Sequence, residues 1–300
     1  MQIHSIFGTI MKRSLISLFC ILMCLSAAAR NRALLIGIGE YPESSGWEKI
    51  SAANDIKLLS STLKGYDITV LQDEKATYAG IKNAFAQFTA KCTPGDTVIV
   101  HFSCHGQQMI CIDKSNEELD LLDEAIVPYD AKAKYSIHYK GEHHLRDNEL
   151  AILIDFLRKK VGSYGFVLVS IDACHSNTLD RSENAIQTTA ILRGTGDIFG
   201  KNVDAQIYLR HKYKTSKDLI PKLEGMSDVV FVSACKEYEK NKEILVDGTG
   251  YGSLTYALVN NMLHITTFNI TKFIEGIKET MYSLKLGQNP GFRASFDIYY

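Results

Sequence analysis

Continuous apolar runs alternate along the chain with segments whose apolar residues recur at helical spacing. Residues 33–39 (ALLIGIG), 97–102 (TVIVHF), 166–171 (FVLVSI) and 229–233 (VVFVS) read as strands buried on both faces. Residues 68–71 add a shorter strand. Helical periodicity marks residues 51–63, with Ile56, Leu58, Leu59 and Leu63 on one side, and residues 77–90, with Ile81, Ala84 and Phe85. Further helices are expected over 148–160, near 252–263 and over 270–284. Pro94-Gly95-Asp96 is a turn signal ahead of the third strand. Strands alternating with helices imply an α/β fold: a mostly parallel central sheet with helices on both faces, a three-layer sandwich.

The first thirty residues break this pattern. Lys12 and Arg13 precede an apolar run over 15–25 and then Ser26-Ala27-Ala28-Ala29. A basic start, a short apolar stretch and small residues describe a secretory signal peptide, expected here over 1–29. The run is shorter than the roughly 20 residues that span a bilayer, so no stable membrane insertion is expected once it is cleaved. The expected location is exported, periplasmic or extracellular. Of the seven cysteines, Cys20 and Cys24 leave with this segment. Cys92, Cys104, Cys111, Cys174 and Cys235 remain, an odd number that leaves at least one thiol unpaired. Lys and Arg number 33 against 34 Asp and Glu, so no nucleic-acid partner is expected.

Residues 30–300 are expected to form one domain in two parts, about 30–180 and 228–300, joined by a linker over 181–227. That linker is weakly patterned and basic, with Arg181, Arg193, Lys201, Arg210, Lys212, Lys214, Lys217 and Lys222. Such a stretch is either a solvated loop or a functional one.

In open α/β sheets, sites form beyond the carboxyl ends of the strands. The third strand runs into Ser103-Cys104-His105-Gly106-Gln107, and the fourth into Asp172-Ala173-Cys174-His175-Ser176. A histidine and a cysteine thus fall at one edge of the sheet. A thiol needs a base, because the thiolate is the nucleophile. His105 could take that proton and return it to a leaving amine. The N–H groups of Gly106 and Cys174 could hold an oxyanion. Cysteine and histidine also reach strand ends by chance, so position alone leaves a catalytic pair and two unrelated residues both open.

Seven ordered pieces carry a family resemblance: ALLIGIGEY (33–41), AANDIKLL (52–59), HFSCHGQQ (101–108), DEAIVPYD (123–130), DACHSNT (172–178), and VSACKE (232–237) followed by YGSLTYAL (251–258). The chain resembles the metacaspases, caspase-like cysteine peptidases. The resemblance implies a caspase-like sandwich with His105 and Cys174 as the catalytic dyad. It also implies an acidic primary pocket formed by Asp55, Ser103 and Asp172. Two carboxylates in one pocket repel unless a cation lies between them, so cleavage after Arg or Lys is expected. Calcium is expected as an activator, not as a participant in the chemistry, through Asp130, Asp147, Asn148 and Asp180. The resemblance further implies a monomer and protein or peptide substrates. Self-cleavage within 180–225 is expected from the cleavable residues there. Two alternatives stand beside this reading: a catalytically silent caspase-like binding module, and a clostripain-like or gingipain-like peptidase.

Several other residues invite a simpler account. Asp123 and Glu124 are expected to be structural. Cys104 is expected to pack, as are Cys92, Cys111 and Cys235. His175 is expected to point away from Cys174. His143 and His144, beside Glu142, lack the helical spacing of a zinc pair and are expected in a surface loop.

Overall fold

The computed structural model describes residues 29–110, 122–173, 191–200, 219–236, 239–264 and 269–297. The expected signal peptide, apart from Ala29, lies outside these residues. So do Cys111, Cys174, His175 and Asp180.

Six strands form the main sheet: β1 (Asn31–Gly37), β2 (Asp67–Gln72), β3 (Thr97–Ser103), β7 (Phe166–Asp172), β8 (Asp228–Ser233) and β11 (Gly291–Ala294). Their order is β11-β8-β7-β3-β1-β2. All neighbours run parallel except β11, which is antiparallel to β8. The four apolar runs of the sequence are the four inner strands. Their backbones are paired on both sides and their side chains are covered on both faces, which is why they carry no polar alternation.

Helices α2 (Tyr78–Lys91) and α3 (Asp147–Val161) cover one face of this sheet. Ile81, Phe85, Phe88, Leu150, Ile154 and Leu157 pack there against Leu34, Ile36, Val98, Val100, Phe102 and Val167. Helices α1 (Ala52–Thr62), α4 (Ser253–His264) and α5 (Ile270–Ser283) cover the other face. Ile56, Leu59, Leu254, Leu258, Phe273 and Ile277 meet Ala33, Leu35, Ile99, Leu168 and Val230. Each large apolar side chain so buried contributes about 1.5–3 kcal/mol. The two faces follow from strand alternation: even-numbered residues of β3 point to the α2–α3 layer and odd-numbered ones to the α1–α4–α5 layer. The expected three-layer α/β sandwich is the observed one.

Local chemistry sets the element boundaries. The Thr77 side chain accepts the Gly80 N–H at the start of α2, and Asn269 accepts the Lys272 N–H at the start of α5. Gly95 takes a φ of 91° in the turn ahead of β3, a conformation a Cβ would oppose.

Smaller sheets sit beyond the carboxyl end of the main one. β4 (Gly106–Ile110), β5 (Leu122–Ile126) and β6 (Leu145–Arg146) are antiparallel neighbours. β9 (Glu243–Val246) and β10 (Thr249–Gly252) form a hairpin. None of these five strands is expected from the apolar pattern, and Gly106 of β4, Glu243 of β9 and Gly252 of β10 contribute to the candidate site. Among the described residues, no helix is long and apolar enough to cross a membrane.

Candidate active site

Strands β3 and β7 are paired so that their last residues, Ser103 and Asp172, stand side by side. Past Ser103 the chain leaves the sheet through Cys104 and His105 and starts β4 at Gly106. Cys104 turns inward and is fully buried, and that burial pushes its thiol up to about 12, so it is a packing residue.

His105 is held from three sides. Its ring stacks on Trp47 at 4.9 Å between centroids and lies 5.2 Å from Tyr41. Its backbone N–H donates to the Tyr41 hydroxyl. Its Nε2 is 2.8 Å from the Glu48 carbonyl oxygen. A carbonyl only accepts, so Nε2 carries the proton and Nδ1 keeps its lone pair. That Nδ1 is buried and meets no partner among the described residues. Burial lowers the imidazole pKa to about 4, against the Glu48 contact that raises it, while the Arg193 charge lowers it further. His105 is therefore neutral at pH 7, with a free lone pair, as a general base requires.

Beside it lies a buried acidic pocket. Asp55 comes from the first turn of α1, Ser103 and Asp172 from the strand ends, and Glu243 from the start of β9. Between them sits the guanidinium of Arg193, fully buried. Its Nη2 is 2.7 Å from Asp55 Oδ2 and donates to Glu243 Oε1 at 2.9 Å. Its Nε reaches the same Glu243 oxygen at 3.2 Å. Its Nη1 donates to Ser103 Oγ at 2.8 Å and lies 3.6 Å from Asp172 Oδ1. The Ser103 hydroxyl donates to Asp55 Oδ2 at 2.7 Å.

The pocket wall is itself held in place. Asp55 Oδ1 accepts the Gly252 N–H. Glu243 accepts both the N–H and the hydroxyl of Ser51. Asp172 accepts Asn241 Nδ2 at 2.8 Å, and both the N–H and the Oγ1 of Thr255 at 2.7 Å. Thr255 opens α4, so one of its unpaired first-turn N–H groups faces a carboxylate. Behind it, Ser170 and Thr255 bracket His101: Nδ1 is 2.6 Å from Ser170 Oγ and Nε2 is 3.3 Å from Thr255 Oγ1. Thr255 already donates to Asp172, so it accepts from His101 Nε2, and Ser170 donates to Nδ1.

Three carboxylates thus face one guanidinium. Burial raises the Asp55 pKa to about 6, with Arg193 opposing and the nearby Asp172 charge adding to the rise. Burial also acts against the Asp172 carboxylate, but Arg193, Asn241 and Thr255 outweigh it and hold that pKa below the usual value. Of the two, Asp172 is the more acidic. Burial disfavours the Arg193 charge, yet Asp55, Asp172 and Glu243 more than restore it.

Arg193 arrives on an extended segment laid across the site. Leu192 pairs antiparallel with Lys242. The Arg193 N–H donates to the Asn241 carbonyl at 3.1 Å, and the Glu243 N–H to the Ile191 carbonyl at 2.9 Å. The Gly106 N–H points at the Arg193 carbonyl oxygen at 3.4 Å. Gly194 then runs parallel beside Gly106. Farther on, Phe199 N–H donates to the Gln108 carbonyl and the Phe199 carbonyl accepts the Ile110 N–H. As a member of a solvated basic loop Arg193 would be exposed; three partner carboxylates from distant parts of the chain bury it instead.

The structure brings Asp55, Ser103, Asp172, His105 and Gly106 to one place. Past β7 the described residues end at buried Ala173, directly before Cys174 in the sequence. Of the residues named for calcium, Asp130 lies elsewhere, accepting the Tyr78 N–H and contacting His143. Asp147 and Asn148 open α3, and the Asp147 side chain accepts the Asn148 N–H. Among the described residues no group of three or more His, Cys, Asp or Glu could hold a metal ion.

His144 corrects one expectation. It is not in a surface loop: it is buried, with Nδ1 on the Tyr139 hydroxyl and Nε2 on Gln107 Oε1. His143 beside it is half-buried. Asp123 pairs with Arg146, and Cys92, Cys104 and Cys235 are buried.

Sequence reasoning missed Glu243, Asn241, Thr255, Gly252 and the Glu48 carbonyl. Gly252 and Thr255 do sit in the YGSLTYAL piece. A Cβ on Gly252 would lie 2.1 Å from Asp172 Oδ2 and 2.5 Å from Arg193 Nη1, so a glycine is required beside the pocket.

Comparison with known proteins gives the family and agrees with the fold. Residues 30–296 match the caspase domain family. Metacaspase-1B of Neosartorya fischeri is 26% identical, over 91% of this chain and 71% of that protein. Metacaspase-1 of Meyerozyma guilliermondii is 24% identical, over 90% and 70%. A crystal structure of a Geobacter sulfurreducens protein superposes with a TM-score of 0.59 at 21% identity, over 89% of this chain and 94% of the other, and shares the fold. With a caspase domain matched over nearly its whole length and metacaspases as relatives, the chain belongs to the caspase-domain family and is a cysteine-type peptidase.

Proposed function

We propose that the chain is an endopeptidase that cleaves after Arg or Lys, with His105 and Cys174 as its dyad. One observation carries the specificity: a guanidinium seated among Asp55, Ser103, Asp172 and Glu243, with the attached carbonyl at the Gly106 N–H. A substrate side chain of the same chemistry fits the same partners.

In this reading the Cys174 thiol gives its proton to His105 Nδ1, and the thiolate attacks the scissile carbonyl. The Gly106 N–H stabilises the resulting oxyanion. His105 then protonates the leaving amine as the C–N bond breaks, leaving a thioester. Water, deprotonated by His105, releases the acid and regenerates the thiol. The Glu48 carbonyl keeps the His105 tautomer that this transfer needs.

Export through the 1–29 segment belongs to the same proposal. So does activation by calcium, with Asp130, Asp147, Asn148 and Asp180 as ligands. The test is hydrolysis of fluorogenic Arg, Lys and Asp peptides by the purified chain, with and without calcium, beside Cys174→Ala. Cleavage after Arg or Lys that the substitution abolishes is expected. Cleavage after Asp alone would refute the pocket assignment. No cleavage in any condition would favour a silent binding module, and equal rates with and without calcium would remove the activator.

A further inference from the structure

His101 is buried in the apolar run of β3 and takes no part in the chemistry above. It joins a chain of side chains drawn from three elements. Ser170 Oγ of β7 lies 2.6 Å from its Nδ1, and Thr255 Oγ1 of α4 lies 3.3 Å from its Nε2. Thr255 Oγ1 in turn donates to Asp172 Oδ2 at 2.7 Å. All four residues are buried. Burial lowers the His101 pKa to about 4, against the Asp172 charge that raises it, so the ring is neutral at pH 7 and carries one N–H. A hydroxyl rotates and can donate or accept, whereas a carboxylate only accepts. With its acceptor side facing the His101 Nε2–H, the Thr255 hydroxyl has one place left for its proton, and that place is Asp172.

The two oxygens of Asp172 thereby do different work. Oδ2 takes both the hydroxyl and the backbone N–H of Thr255. Oδ1 takes Asn241 Nδ2 and is the oxygen that faces the guanidinium, 3.6 Å from Arg193 Nη1. The Asn241 amide is turned in the same manner. Its Oδ1 accepts from Ser253 Oγ and from Gln288 Nε2, which leaves Nδ2 toward the carboxylate. We propose that Thr255 and His101 are positioning residues for the specificity pocket: the hydroxyl that His101 turns holds Asp172 Oδ2 against α4, so that Oδ1 stays aimed at the substrate guanidinium. The inference rests on the Arg-specific reading above. In an otherwise apolar run, a buried imidazole costs desolvation that a phenylalanine at the same place would not. What His101 contributes in exchange is the direction of one hydrogen bond.

The experiment measures Arg-peptide kinetics, and the Ki of benzamidine as a planar amidinium, in the full chain with calcium. It compares Thr255→Val, Thr255→Ser, His101→Phe and the double variant Thr255→Val with His101→Phe. Thr255→Val keeps the side-chain shape and the backbone N–H and removes only the hydroxyl. KM and Ki should both rise by about tenfold or more, the scale of one hydrogen bond to a charged group, with kcat changed by less than about threefold. Thr255→Ser should restore most of the affinity. His101→Phe alone should raise KM and Ki by a smaller factor. It should add nothing to Thr255→Val, because it acts through a hydroxyl that is already gone. Unchanged KM and Ki in Thr255→Val, or a fall in kcat in their place, would overturn the inference and leave the Arg reading standing. Additive losses in the double variant would overturn the role of His101. If Thr255→Val does not melt cooperatively, His101→Phe decides, and unchanged KM and Ki there overturn the proposal. A wild-type chain that hydrolyses no Arg or Lys peptide would overturn the specificity reading and this inference with it.

Discussion

At the scale of single residues, the pocket grips a guanidinium along its whole edge. Nε and Nη2 share Glu243, Nη2 also meets Asp55, and Nη1 meets Ser103 and Asp172. A lysine ammonium carries its three donors on one nitrogen and cannot reach both sides at once. Each hydrogen bond to a charged group is worth about 1.5–3 kcal/mol. Losing one of them predicts that kcat/KM for an Arg peptide exceeds that for the matched Lys peptide by at least about tenfold. Glu243→Gln should narrow that ratio, because it weakens the contact that only Nε and Nη2 together can make. Paired kinetics on the two peptides check this, and equal kcat/KM values for Arg and Lys would show that the pocket reads charge and not shape.

At the scale of elements, the pocket is a junction. Asp55 belongs to α1, Ser103 to β3, Asp172 to β7 and Glu243 to β9, and Gly252 joins β10 to α4. Gly252→Ala tests how tightly these parts are set. Its methyl carbon would fall on the Asp172 carboxylate, so β10 or α4 must shift, and a displacement near 1 Å costs about a hundredfold in rate. Arg-peptide hydrolysis should fall by about that factor with little change in far-UV circular dichroism; an unchanged rate would mean that the junction yields freely. The same junction explains what the sequence reveals and what it hides. The inner strands β1, β3, β7 and β8 are legible because burial on both faces writes an unbroken apolar run. Ser103, His105 and Asp172 are legible because they end or follow those runs. β4, β5 and β9 are not, because they bury polar residues: Gln107, Gln108, Asp123 and Glu243 are all covered. His144 was hidden for the same reason, its burial depending on Tyr139 and Gln107 rather than on any local pattern. Arg193 is the extreme case. In a basic, glycine-containing stretch it reads as solvated, and only the meeting of Asp55, Asp172 and Glu243, far apart in the chain, makes burying it favourable.

At the scale of the whole molecule, buried histidines set a limit on acidity. Burial lowers His101 and His105 to about 4 and His144 to about 3. An exposed histidine in the unfolded chain titrates near 6.5. Between about pH 6.5 and 4 the unfolded chain therefore binds up to three more protons at these positions than the folded one, and acidification favours unfolding. Asp55 works the other way. Its folded pKa, about 6, lies above the ordinary value of 3.8, so the folded state gains one proton between those values and recovers part of the loss. The balance is about two protons, or roughly 3 kcal/mol of stability lost per pH unit through the middle of that range. Against a total stability of about 5–15 kcal/mol, this predicts a steep fall in Tm from pH 6.5 to pH 4.5 and acid unfolding within that window. Calorimetry across pH 4.5–7.5 gives the measurement. His144→Gln, able to hydrogen-bond in the same cavity without titrating, should flatten the slope by about one proton. A Tm that stays level down to pH 5 would mean that these rings are protonated in the folded state. The His105 tautomer on which the proposed chemistry depends would then be wrong as well.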